Sequence, residues 1–164
     1  MNPPGRSILF VAIGALLAIM AGIVYYASLD QDDLSMTTIE LQSVEVTDVN
    51  SIENRATLKI TFLVTNSGEI TMTVPVITYQ LYADGSLVGN GVYSTEDVAM
   101  PGRAAFYPGA EIPLNNKMTI VMSDVNKNVY EKIISGQMVQ YSTTGVITVE
   151  SAWSIVELNF DTNS

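Results

Sequence analysis

ATLKITFLVTN, residues 56–66, alternates as a half-buried β-strand must. Leu58, Ile60, Phe62 and Val64 fall on one face, and Thr57, Lys59, Thr61 and Thr65 on the other, the period of two that a pleated strand imposes. Leu63 is an apolar exception on the outer face. Asn66-Ser67-Gly68 then closes the run with residues that tolerate turn geometry. The pattern extends in both directions. Before it, IELQSVEVTDV (39–49) reads as a strand with a phase slip near Ser43, which predicts a bulge. The polar NSIENR suits the hairpin loop between the two. After it, TMTVPVITYQLYADG (71–85) is a long strand in which Pro75 cannot donate to a ladder and marks an edge, a bulge or a strand start. Asp84-Gly85 predicts a tight hairpin. LVGNGVYS (87–94) is the return strand, with Gly89 and Gly91 marking a bulge or close backbone approach.

Farther on, residues 96–109 carry Pro101, Gly102, Pro108 and Gly109 and read as a long irregular connection. AEIPLNN (110–116) and MTIVMS (118–123) read as one strand broken by Pro113, or as a short pair. DVNKNVYEKIISG (124–136) is the helix candidate. Asp124 can cap it, Val125, Val129, Tyr130 and Ile133 form its apolar stripe, and Gly136 ends it. Residues 138–151 and 152–161 read as closing strands, with Val156, Leu158 and Phe160 facing inward. About seven strands and one short helix predict an antiparallel β-sandwich of the immunoglobulin or fibronectin kind.

Upstream of this β text, Ser7–Leu29 is apolar and uncharged. A helix of that length spans about 35 Å, enough to cross a bilayer core. Pro3, Pro4 and Gly5 break structure before it, and Tyr25 and Tyr26 suit the interface at its far end. A cleaved signal peptide is the rival reading. The run exceeds the usual apolar stretch of such peptides, and bulky Tyr25 opposes cleavage after Ala27. The expectation is an uncleaved single-pass anchor in the cell membrane. Arg6 precedes the run, whereas Asp30, Asp32 and Asp33 follow it, so residues 1–6 are expected in the cytoplasm. Residues 30–37 read as an acidic tether and residues 38–164 as the extracytoplasmic sandwich. Gly14, Ala18 and Gly22 recur every fourth residue, a stripe that could seat a second helix, from a membrane protein or another copy.

Charge and composition narrow the function. The net charge is −10, and all 17 acidic residues follow residue 29. Such a domain repels nucleic acid. There are no cysteines or histidines, which removes disulfides, thiolate metal sites and the usual general base. The triplet Asp30, Asp32, Asp33 lacks the Gly turn and distant Glu of a calcium loop. GSLVGNG (85–91) lies in a hairpin, not between strand and helix, so it is no phosphate loop. No lysine sits in a Ser-x-x-Lys arrangement, Glu96 and Asp97 read as a solvated loop pair, and no Asn-x-Ser/Thr sequon occurs. Tyr79, Tyr82, Tyr93, Tyr107, Tyr130 and Tyr141 could line a surface, but strand aromatics more often fill cores. No catalytic, cofactor or metal residues are assigned.

LKITFLVTNSG (58–68), ITYQLYADGSLVGNG (77–91), EIPLNN (111–116) and VQYSTTGVITVE (139–150) together resemble the late embryogenesis abundant type 2 domain, also called the water stress and hypersensitive response (WHy) domain. Where that family has Asn-Pro-Asn, this chain reads Thr65-Asn66-Ser67. The resemblance, over roughly residues 38–162, implies a non-enzymatic sandwich associated with desiccation and stress protection, in many members behind one N-terminal anchor. It supplies no catalytic residues. Three roles follow as expectations: a membrane-tethered protective or interaction domain, an accessory subunit of a membrane complex, or a carrier of a small ligand or lipid.

Overall fold

The computed structural model describes residues 4–95 and 104–163, and side chains from residue 7 onward. The expectations for Pro3, Arg6, Glu96, Asp97, Pro101 and Gly102 fall outside that description. The chain begins with α1 (Pro4–Ser35), followed by β1 (Thr37–Asn50), β2 (Arg55–Asn66), β3 (Met72–Ala83), β4 (Ser86–Ser94), β5 (Ala105–Phe106), β6 (Glu111–Val121), α2 (Lys127–Ile134), β7 (Tyr141–Glu150) and β8 (Ile155–Asn163). The strands form two antiparallel sheets, one ordered β1-β2-β6 and one ordered β4-β3-β7-β8 with β5 beside β3. They stack as a sandwich because each long strand offers one apolar face. Leu58, Ile60, Phe62 and Val64 of β2 are fully buried against Ile77, Tyr79 and Leu81 of β3 and Ile147 and Val149 of β7. Phe62 sits at the centre, edge-on to Tyr79 at 4.9 Å and to Phe160 at 6.0 Å.

The irregular residues fall where the ladder allows them. The slip near Ser43 appears as register shifts at Leu41/Ser43 and Val46/Asp48. At the first, the Leu41 amide donates to Thr162 Oγ1 of β8 at 3.1 Å, joining the two sheets along one side. On the other side Asn116 Nδ2 donates to the Val92 carbonyl and to Tyr79 Oη, each at 2.9 Å. Pro75 lies at the break between Thr73 and Val76, where β3 loses register with β7. Pro113 does not break its strand. It pairs with Leu63 inside a continuous β6, tolerated because β6 is a sheet edge whose outer side needs no donor.

Three local readings need correction. Residues 152–154 belong to a turn, not to β8: Ser151 Oγ accepts the amides of Trp153 and Ser154 at 3.2 and 3.0 Å. Within 96–109, Ala105 and Phe106 pair with β3, and Phe106 enters the core. The helix expected from Asp124 starts three residues later. Asn126 ties back to β6 instead, accepting the Ser123 amide and donating to the Val121 carbonyl. Val125 is therefore 94% exposed, while Val129, Tyr130 and Ile133 are buried as the stripe requires.

The Asp84-Gly85 turn has positive φ at both residues, 48° and 76°, the geometry of a two-residue hairpin that follows strand twist. Asp84 also clamps the neighbouring segments. Its carboxylate accepts from Lys132 Nζ at 2.7 Å and from the Gln140 amide at 3.1 Å. The Lys132 bond, then the Gln140 bond, holds its pKa below the ordinary 3.8. A lowered native pKa stabilises the fold above the unfolded value, and that contribution is lost as pH falls through the native one. Asp84→Asn keeps a residue that accepts positive φ but removes the charge. In detergent micelles the full-length variant should melt below the wild type at neutral pH. The difference should close at a pH below the native pKa. An equal difference at both pH values would contradict the clamp.

Candidate functional site

No cluster of three His, Cys, Asp or Glu converges among the described residues. The aromatic candidates divide clearly. Tyr79, Tyr93 and Tyr130 are core residues, Tyr82 and Tyr141 are half-buried, and Tyr107 is exposed. Burial pushes the Tyr79 hydroxyl up to about 12, against the smaller opposing effect of its bond from Asn116, so it stays a neutral packing group at physiological pH. A shallow groove of about 650 Å³ crosses the outer face of the larger sheet, over the backbone of Tyr79, Gly91 and Gly145. Its rim is formed by Thr78, Gln80, Asn90 and Thr144 among others. The corresponding inner face is filled by the contacting rings of Phe62, Tyr79 and Phe160.

The feature with the most specific geometry is the junction between α1 and the sandwich. From Ser7 the helix is apolar and long enough to cross a membrane, with none of its most apolar window buried in the protein. Gly14, Ala18 and Gly22 share one exposed or half-exposed face. Nothing lies within 4 Å of where a Cβ would stand on Gly14 or Gly22. The segment expected as an acidic tether, 30–37, continues the helix through Ser35 and reaches the first residue of β1. Leu34 is completely buried in the core. Asp30 accepts from Ser151 Oγ at 2.7 Å, and Asp33 Oδ1 accepts the Glu69 amide at 3.0 Å. Carboxylates near a helix C-terminus oppose the macrodipole; these two are compensated by donors from the domain.

The loops that receive the helix are themselves fixed. Asn66, 1% exposed, donates through Nδ2 to the carbonyls of Ile70 and Phe106 at 2.8 and 2.9 Å and accepts the Gly68 amide at 3.1 Å. Its backbone pairs with Ala110 and Gly109. The turn signal at Asn66 thus marks the hub of the sandwich end that faces α1. Sequence reasoning located that turn but not the helix seat. Ala27, Asp30 and Leu34 do fall on one helical face, a spacing that could have signalled the joint.

No family model matches the chain, and no curated protein matches it in sequence. Solved structures do resemble it. An X-ray structure of a Northeast Structural Genomics Consortium target aligns at TM-score 0.51 and 11% identity, over 80% of this chain and 86% of that one. A solution structure of an Arabidopsis thaliana protein aligns at TM-score 0.50 and 13% identity, over 75% and 78%. The solution structure of a candidate late embryogenesis abundant protein aligns at TM-score 0.45 and 8% identity, over 96% and 88%. At such identities the likeness is one of fold alone.

Proposed function

We propose that α1 spans the cell membrane, N-terminus inward, and holds the sandwich outside as a non-enzymatic domain that protects or engages neighbouring macromolecules under water stress. The observation that carries the membrane reading is α1 itself: the side chains from Ile8 to Leu29 leave a long apolar surface uncovered, which water does not tolerate at this length. Arg6 before the apolar run Ser7–Leu29 and the acids after that run favour the inward N-terminus. The protective role rests on the sequence resemblance to the type 2 late embryogenesis abundant domain, and the lack of His and Cys agrees with a role without chemistry.

The test is protection. A labile enzyme dried or heated beside vesicles carrying the full-length protein should keep more activity than beside vesicles carrying an inert single-pass protein. Equal losses would dismiss protection. Recovery from detergent as a fixed assembly with another membrane protein would replace it with the accessory-subunit role.

A further inference from the structure

The Ser151–Ser154 turn lies beside α1 and carries the chain's one tryptophan. Ile19, Gly22, Ile23, Tyr26, Asp30 and Trp153 together enclose a groove of about 500 Å³. The turn is held there by the Ser151–Asp30 bond, yet Trp153 is 73% exposed and Ile155, next on the same side of the chain, 63%. Depth follows from helix geometry. Asp30 stands just past Leu29, the end of the apolar run, and a rise of about 1.5 Å per residue puts the other helical neighbours of the indole, Tyr26 to Ile19, roughly 5–15 Å inside it. A side chain flanking those residues shares their depth. Indole suits that zone, with an apolar body and one N–H for the polar boundary.

We infer that the 151–154 turn is a second membrane contact, resting on the reading of α1 as membrane-spanning. Trp153 enters the boundary between headgroups and acyl chains of the bilayer that α1 crosses, and a lipid chain fills the groove between indole and helix. Asp30, Asp32, Asp33, Glu69 and Glu150 belong to the segments at this end of the sandwich. The contact is therefore apolar, with no call for anionic lipid. The helix and the turn hold the sandwich at two points, so it sits in one pose on the surface.

The single tryptophan makes the test direct. Full-length protein is placed in phosphatidylcholine vesicles, with or without brominated acyl chains. Trp153 should emit to the blue, be quenched by the bromolipid and be shielded from aqueous iodide. A reporter at the far end of the domain, Ile52→Trp combined with Trp153→Phe, should show the reverse, with severalfold weaker bromolipid quenching. Iodide quenching of Trp153 without bromolipid quenching, in protein that resists alkaline extraction from the vesicles, would overturn the turn's insertion while leaving the anchor intact. Release by alkali would overturn both. Shielding from both quenchers would also overturn it, assigning the groove to protein, such as a second copy.

Discussion

Gly145→Ala should destabilise the sandwich more than any other glycine-to-alanine change in the strands. Gly145 pairs with Tyr79 on one side and Phe160 on the other. A Cβ there would overlap the Thr78 carbonyl oxygen and approach Tyr79 Cα at 2.8 Å. Both are backbone atoms of the hydrogen-bonded neighbour strand, so relief requires the strands to part. Overpacking usually costs about 1–3 kcal/mol, and a clash with backbone belongs at or beyond the top of that range. Gly91 provides the graded comparison. A Cβ there would strike the Tyr79 ring, which can turn away, but only by loosening its contact with Phe62 and its bond from Asn116. Gly91→Ala should therefore cost less, about 1–2 kcal/mol. Gly89→Ala meets Met118 Sδ at an ordinary 3.5 Å and should be the mildest. Denaturation of the full-length protein in micelles ranks the three. A Gly145→Ala variant as stable as Gly89→Ala would show that the strands do not pack as described.

Leu34→Ala should uncouple the anchor from the domain. Among the described residues Leu34 is the helix's one fully buried side chain, and removing a buried leucine to alanine costs about 2–5 kcal/mol. Part of that loss can be avoided if the helix end lifts from the core. The expected result is thus twofold: a lower melting temperature of the sandwich, and new protease cleavage near residues 30–37. Asp32→Ala, at an exposed position two residues earlier, should do neither. If Leu34→Ala leaves melting and cleavage unchanged, the tether reading returns and the rigid joint fails.

That joint also shows where sequence stops being informative. The strands were legible because each carries its signal locally: the alternation of β2, the slip near Ser43, the ladder irregularity that Pro75 marks and the Asp84-Gly85 turn. DQDDLS reads locally as solvated spacer, since three acids lie in four residues. Its structure is decided by partners far along the chain, Ser151 at 121 residues from Asp30 and Glu69 at 36 from Asp33. The same holds for Trp153. Within its own segment it alternates like a strand residue, and only Ser151's capture of the following amides makes a turn of it. The expected start of α2 at Asp124 fails for a related reason: the side chain of Asn126, the third residue of that segment, has a choice of backbone partners, and it bonds the end of β6.

The role of the anchor is changed by this joint. A flexible tether would let the sandwich search a hemisphere above the membrane. On the proposed membrane reading, a helix that enters the core, backed by two carboxylate bonds, presents one fixed end of the sandwich to the lipid and the other to whatever lies beyond. Function on this account depends on location and pose, and on surfaces rather than on a reactive centre.

The most direct test is protease treatment of intact cells, followed by alkaline washing of their membranes and identification of what stays in the pellet. The account predicts that untreated protein resists the wash with α1 attached, and that external protease removes the sandwich and leaves a membrane-bound fragment containing residues 7–29. Release of the untreated protein by alkali, or a sandwich that intact cells shield from protease, would contradict it.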